Sequence, residues 1–138
     1  MIRSILMLED DEDDRYITEA AFKEKRSSLK LHFVNSSDDL FAFLFSCERN
    51  FLSYPALILL NHYARPANAV DILRELKTNA HYAHIPVIVL SGTASEEIVR
   101  NCYAAGACSF IKKPASHNET DDKVSTFLHY WFESVELP

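Results

Sequence analysis

Short apolar runs separated by polar or turn residues recur along the chain. Each run has the length of a β-strand, and several are unbroken rather than alternating, as expected for strands covered on both faces in a parallel sheet. We predict strands at SILML from Ser4, LKLHFV from Leu29, ALILL from Ala56, PVIVL from Pro86 and CSFI from Cys108.

Segments with helical spacing follow these runs. The first, from Asp13 to Lys25, places three side chains on one face: Ile17, Ala20 and Ala21. The second and the fourth begin with capping-box spacing, Ser36 with Asp39 and Thr93 with Glu96. The third runs from Asn68 to Thr78. The last carries a continuous apolar stripe: Val124, Phe127, Leu128, Trp131 and Val135.

This alternation of strand and helix predicts an open α/β domain, with a parallel sheet, right-handed crossovers and helices on both faces. A chain of 138 residues is long enough to bury one core, so we expect a single domain over residues 1–138. Functional sites in such sheets form at the carboxyl ends of the strands. Polar side chains at those ends are therefore the candidates for function.

Composition and charge exclude several classes of protein. The net charge of −6 argues against a nucleic-acid binder. The three cysteines, Cys47, Cys102 and Cys108, lack metal-ligand spacing and are expected to be buried thiols in a reducing compartment. Six acids break the first apolar run too early for a signal peptide or a membrane span, so a cytoplasmic location is expected. With two glycines, the chain has no Gly-rich phosphate loop.

Several strand ends carry polar side chains that would meet at one edge of the sheet. Glu9 and Asp10 directly follow the first strand, where a hard cation such as Mg²⁺ would offset their repulsion. The four acids that follow are expected to form a solvated patch and the first turn of a helix. The later ends carry an amide, a hydroxyl and a lysine, at Asn61, Ser91 and Lys113. We expect these groups to converge.

With ILMLEDDEDDR, IPVIVLSG and AAGACSFIKKP in order along it, the chain resembles a response-regulator receiver domain of the single-domain, chemotaxis-regulator-like group. The resemblance covers essentially the whole sequence. It implies a flavodoxin-like doubly wound parallel sheet with strand order 2-1-3-4-5. It also implies two-component phosphorelay signal transduction, in which an Asp after the third strand accepts a phosphoryl group from a histidine kinase, and a signalling module rather than an enzyme.

Residue by residue, the resemblance implies a Mg²⁺ site at Glu9 and Asp10 and phosphoryl contacts from Ser91 and Lys113. Phe110 takes the place of the family's switch aromatic, or is an ordinary core residue; it lacks the hydroxyl that a Tyr would use there. The phosphoacceptor position falls on Asn61. The loop after it also departs from the family pattern, with Arg65 before Pro66 and with Ala69 where the family usually has Gly.

An amide at Asn61 changes the expected chemistry. It is a poor nucleophile with no ionised form near neutrality, so it should not form an acyl phosphate. It also removes one anionic ligand, so Mg²⁺ is expected to bind weakly. Lys113 loses its usual partner and can turn to Glu9 or Asp10, or toward solvent. We therefore predict a pseudo-receiver that is not phosphorylated at Asn61 and acts by protein–protein contact.

The resemblance implies that a histidine kinase or other signalling protein binds the face made by the fourth helix, the fifth strand and the fifth helix. This face offers basic and aromatic side chains of the kind enriched at interfaces: Arg100, Tyr103, Lys112 and Tyr130. The two tyrosines could equally be packing residues. Direct contact with nucleic acid or a membrane is not expected.

Three other interpretations stay open. In the first, the protein is an ordinary phosphorylated, Mg²⁺-dependent regulator in which Asn61 is a substitution, or in which Asp71 serves as acceptor. In the second, it is a Mg²⁺-dependent phosphohydrolase with Asp10 as nucleophile. In the third, it is a flavodoxin-type small-molecule binder, which the lack of a phosphate loop disfavours.

Overall fold

The computed structural model describes residues 3–26 and 28–138. Within these ranges, strands and helices alternate, and a single π-helical turn, Tyr130–Ser134, follows the last helix. The strands are β1 (Ser4–Leu8), β2 (Lys30–Val34), β3 (Leu57–Asn61), β4 (Val87–Ser91) and β5 (Ser109–Lys112). The helices are α1 (Glu12–Lys25), α2 (Ser37–Arg49), α3 (Ala69–Thr78), α4 (Glu96–Ala104) and α5 (His117–His129).

The strands form one parallel sheet in the order β2-β1-β3-β4-β5, which confirms the predicted flavodoxin-like arrangement. The strand order changes direction between β1 and β3, so a crevice forms outside their carboxyl ends. In the register of the sheet, Asn61 pairs with Leu90, and Ser91 pairs with Lys112. The polar ends of four strands therefore lie at one edge.

Two apolar cores cover the sheet, one on each face. Leu6 and Leu8 of β1 belong to the core beneath α2 and α3, whereas Ile5 and Met7 belong to the core beneath α1 and α5. All four are buried. This two-sided burial explains why the strand is an unbroken apolar run in the sequence.

Side-chain caps fix where the helices begin. Ser36 caps α2, as its spacing predicts. The predicted cap at Thr93 is wrong, because α4 starts later: Ser95 is the cap residue, and its Oγ accepts a hydrogen bond from the Ile98 amide at 3.3 Å. Thr93 instead stays in the loop, with its Oγ1 3.0 Å from the hydroxyl oxygen of Tyr63. The connection from β4 to α4 thus remains an open loop at the edge of the sheet that carries the candidate site.

The buried face of α1 differs from the prediction. Ala21 is buried as expected, but Ala20 and Ile17 are exposed. The buried position next to Ala21 belongs to Phe22, whose ring packs edge-to-face on Phe127 of α5 at 5.7 Å between centroids. The large aromatic surface of Phe22 decides which side of the helix turns inward.

The apolar stripe near the carboxyl terminus is confirmed in its first part. Val124, Phe127 and Leu128 are buried in the core beneath α5, and Trp131 packs against that core. The helix does not continue to Val135 as predicted, because it ends at His129. Val135 follows the π-helical turn and has an extended backbone conformation.

Two expectations from composition have different outcomes. Cys47 and Cys102 are buried, but Cys108 is exposed, which corrects the prediction for that residue. No helix within residues 3–26 and 28–138 is long and apolar enough to cross a membrane.

Candidate functional site

Three of the predicted site residues form one hydrogen-bonded group at the carboxyl edge of the sheet. Glu9, only 1% exposed, follows β1 and accepts a hydrogen bond on each carboxylate oxygen. Lys113 Nζ donates to Oε1 at 2.7 Å and Asn61 Nδ2 to Oε2 at 2.9 Å, and the Asp11 amide also donates to Oε2, at 3.4 Å. A buried carboxylate is costly without such partners, so this pairing is what allows Glu9 to be buried.

Asp14 joins this group, which the sequence did not predict. Asp11 caps α1 by accepting a hydrogen bond from the Asp14 amide at 2.9 Å, so the helix begins directly at the end of the strand. That start places the Asp14 carboxylate 3.0 Å from Lys113 Nζ. The solvated patch expected for these acids therefore does not include Asp14. We call Glu9, Asp14, Asn61 and Lys113 the acid pocket.

The environment of Lys113 fixes its charge. Partial burial opposes the ammonium form, but the hydrogen bonds and charges of Glu9 and Asp14 outweigh it and raise the pKa of Lys113 above its ordinary 10.5. Lys113 is therefore a cation at neutral pH, held between two acids. Of the alternatives left open for it, the turn toward Glu9 is what the structure shows, and Asp14 replaces Asp10 as the second partner.

The raised pKa predicts a pH dependence of stability. A lysine whose pKa is higher in the folded than in the unfolded chain contributes its full stability below the unfolded value, and that contribution disappears as the pH rises through the folded value. We expect the difference in unfolding free energy between wild type and Lys113→Met to be constant from neutral pH to about pH 10 and to shrink above it. Denaturant titrations of both proteins measure it. A difference that already declines between about pH 7 and pH 9 would contradict the ion pair.

Both the nitrogen and the oxygen of the Asn61 side-chain amide form hydrogen bonds. Its Nδ2 donates to Glu9, and its Oδ1 accepts a hydrogen bond from the Tyr63 amide at 3.2 Å. The Tyr63 hydroxyl in turn contacts Thr93 on the neighbouring loop. A carboxylate at this position could accept the bond from Tyr63, but it could not donate to Glu9. The pocket is therefore complementary to an amide.

The side chains of Ser91 and Phe110 form no hydrogen bond with the acid pocket. Ser91 is buried at the end of β4; its Oγ accepts a hydrogen bond from the Thr93 amide at 3.2 Å, and its carbonyl accepts one from the Lys113 amide at 2.7 Å. Phe110 packs against the core, and its backbone amide donates to the Tyr103 hydroxyl at 3.2 Å. A phenol group thus does contact β5 here, but it comes from α4.

A divalent cation fits this arrangement poorly. Both Glu9 oxygens already accept hydrogen bonds from Asn61 and Lys113, and Asn61 presents nitrogen rather than oxygen to Glu9. Asp10, the second predicted ligand, is exposed. In the described part of the chain, no group of three or more His, Cys, Asp or Glu side chains is placed to hold a metal. A cation at Glu9 would have to displace internal donors.

Arg15 supports the acid pocket by binding the backbone of Glu9, a role that the sequence did not indicate. Its Nε donates to the Glu9 carbonyl at 2.5 Å, and its Nη2 donates to the Asn35 side chain after β2. Its guanidinium lies 5.4 Å from the ring centre of Phe33. These contacts tie the ends of β1 and β2 together and hold the backbone of Glu9 in place.

Comparison with known proteins points to one family. No protein-family model matches the chain. Among curated proteins, the response regulator Rcp1 of Synechocystis is 26% identical over 137 residues, which cover 97% of this chain and 92% of Rcp1. The crystal structure of the Mn²⁺-bound form of Rcp1 superposes with a TM-score of 0.86 at 26% identity and covers 99% of each chain.

Two further structures share the fold more closely. The response regulator RPA3017, in red light signalling of R. palustris, has a TM-score of 0.90 at 24% identity over 99% of this chain and 98% of its own. The phosphorylated cyanobacterial phytochrome response regulator RcpA also has a TM-score of 0.90 at 24% identity, over 100% and 99% of the two chains. The strand order and the chain-wide superposition on these structures show that the chain has the fold of the response-regulator receiver domains.

Proposed function

We propose that this receiver domain, extending over residues 1–138, is a pseudo-receiver: a two-component signalling module that is not phosphorylated at Asn61 and acts by protein–protein contact. The amide of Asn61, which donates to Glu9 and accepts from Tyr63 at once, carries this proposal. Phosphoryl transfer needs an anionic oxygen at this position, and an amide offers none near neutral pH.

The internal cation supports the same proposal. The single ammonium of Lys113 pairs with both Glu9 and Asp14, whereas a receiver that is phosphorylated would need a metal ion at the acids and a lysine free to contact the phosphoryl group. Mn²⁺ is bound in the Rcp1 structure. In this chain we propose weaker divalent binding at Glu9 and Asp10, because a metal must compete with Lys113 and Asn61 for Glu9. The phosphoryl contacts of Ser91 and Lys113, and a switching role of Phe110, would then be unused.

A signalling partner, either a histidine kinase or another protein, is proposed to bind the face formed by α4, β5 and α5. Arg100 and Tyr103 of α4 and Lys112 of β5 are exposed, and so is Tyr130, which directly follows α5; this exposure suits contact better than packing. The Tyr103 hydroxyl is held by the Phe110 amide, so its ring is presented in a defined orientation. Ordered aromatic and basic side chains of this kind are enriched at interfaces.

Intact-mass measurement after incubation with Mg²⁺ and acetyl phosphate tests the proposal. We expect the wild-type chain to gain no phosphoryl group, because Asn61 supplies no anionic nucleophile. Asn61→Asp is the matched variant and is expected to gain one group, since Ser91 and Lys113 already lie at the same edge. A stoichiometric gain by the wild type would refute the pseudo-receiver.

The same preparations separate this proposal from an enzymatic one. A pseudo-receiver has no reaction of its own, so we propose that phosphatase activity with and without Mg²⁺ stays at the level of a blank. Hydrolysis that required Mg²⁺ and disappeared in Asp10→Asn would favour the phosphohydrolase instead.

A further inference from the structure

The end of α2 has an unusual residue at a backbone position that favours glycine. After the last helical residue, Arg49, the Phe51 amide bonds back to the Glu48 carbonyl at 3.4 Å and the Leu52 amide to the Cys47 carbonyl at 2.9 Å. This pair of bonds is the Schellman motif. Phe51 takes its left-handed position, with φ 55°. A bulky residue there is uncommon, because its Cβ crowds the backbone where Gly or Asn would not.

The Phe51 side chain makes no compensating contribution to folding stability. It is 97% exposed, so it adds nothing to the core. A residue that strains the backbone and leaves a large apolar ring in water is poorly explained by folding stability. Strain at such positions is commonly connected with function.

Neighbouring side chains extend this feature into a surface. Phe45 and Arg49 are four residues apart and share one side of α2, and Leu52 follows the Schellman turn that ends this helix. Phe45 is 54% and Leu52 62% exposed, and the Arg49 guanidinium lies 5.9 Å from the ring centre of Phe45. We call Phe45, Arg49, Phe51 and Leu52 the distal patch. It lies at the opposite edge of the sheet from the acid pocket, where α2 leads into β3.

We propose that the distal patch is a docking site for an acidic segment of a partner protein with apolar anchors, separate from the α4–β5–α5 face. Phenylalanine and arginine are among the residues enriched at protein–protein interfaces. Arg49 forms no ion pair within residues 3–26 and 28–138, and it places a positive charge on a chain of net charge −6.

A second copy of the chain suits the patch less well. A symmetric dimer through the patch would bring two Arg49 side chains toward each other across the two-fold axis. A partner that supplies carboxylates around apolar anchors satisfies both the charge and the exposed rings. This inference does not depend on whether Asn61 can be phosphorylated.

The variant Phe51→Gly tests the strain directly. Glycine adopts the left-handed conformation at no steric cost, so the melting temperature of the full chain is expected to rise by about 3 °C. If Phe51 had a structural role, the same substitution would lower the melting temperature. Tyr16→Ala, which removes another exposed aromatic ring from α1, is the control and should change it little.

Peptide selection tests the docking site itself. The full wild-type chain is presented to a displayed library of random peptides about 15 residues long, with counter-selection on Phe51→Gly. We expect enrichment of sequences that combine Leu, Phe or Trp with Asp and Glu. A synthetic copy should perturb the amide resonances of residues 45–52, and its affinity should fall about 10-fold in Phe51→Gly and in Arg49→Glu but not in Tyr16→Ala.

Four results would overturn the proposal. In the selection, these are no enrichment of any sequence and enrichment of basic sequences. In the resonance experiment, it is changes confined to α4, β5 and α5. The fourth is concentration-dependent dimerisation of the chain that Phe51→Gly abolishes. The last result would assign the patch to a second copy of the chain.

Discussion

Replacing Lys113 with methionine is expected to lower the free energy of unfolding by about 2–3 kcal/mol. Removing one member of a buried ion pair leaves the other charge uncompensated, and Glu9 is 1% exposed. The side chain of Lys113 is 24% exposed, so solvent screens part of this cost and the expected loss lies below that of a fully buried pair. Urea titration at neutral pH measures the loss.

Lys112→Met is the matched control, because Lys112 precedes Lys113 and its side chain is exposed. Its effect should stay within about 0.5 kcal/mol. The double variant Glu9→Gln with Lys113→Met should be more stable than the sum of the two single losses predicts, since neither then leaves an unpaired charge. Equal losses for Lys112→Met and Lys113→Met would mean that the Lys113–Glu9 contact contributes nothing.

Replacing Asn61 with aspartate is expected to make the stability depend on magnesium. Without metal, a carboxylate takes the place of an amide that donates to Glu9 at 2.9 Å, so a hydrogen bond becomes a repulsion. We expect a loss of about 2 kcal/mol from this change. Mg²⁺ at about 100 times its dissociation constant should return about 2.7 kcal/mol. Thermal unfolding of wild type and variant over a series of Mg²⁺ concentrations measures both effects.

The same exchange at Asn68 is the control. Asn68 caps α3 by accepting a hydrogen bond from the Asp71 amide, and aspartate caps equally well, so little change is expected with or without metal. If Mg²⁺ stabilised the wild type as much as Asn61→Asp, the amide would not be the cause of weak metal binding. If Asn61→Asp lost no stability without metal, the bond between Asn61 and Glu9 would be unimportant.

The arrangement of the sheet could be predicted from the sequence because it depends on patterns that each strand carries by itself. An unbroken run such as ALILL before Asn61 indicates a strand covered on both faces, and alternation with helices limits the topologies. The meeting of Glu9, Asn61 and Lys113 followed from the general rule that sites form at strand ends. Their hydrogen bonds also depend on side-chain orientation, because Ser91 ends at the same edge and forms no side-chain bond with them.

The features that could not be predicted depend on how each helix is rotated about its axis and on the residue at which it begins. Asp14 reaches Lys113 only because α1 begins at Glu12, and an acid in a run of six gives no sign of which carboxylate faces the sheet. The α4 cap posed a similar problem, since both Thr93 and Ser95 are plausible caps and the loop length decided between them. The left-handed conformation and exposure of Phe51 could not be predicted either, because the usual sequence signal of a Schellman motif is a glycine.

Lys113, described above as a cation held by two acids, also affects how a cell could use this domain. The state of a receiver that depends on a metal and a phosphoryl group reflects the recent activity of its histidine kinase. Under the proposed function, a pocket that carries its own counter-ion and binds Mg²⁺ weakly responds little to the supply of magnesium or phosphodonor. The quantity left to vary is then the number of molecules, so synthesis and degradation of the chain would set the strength of the signal by mass action on its partners.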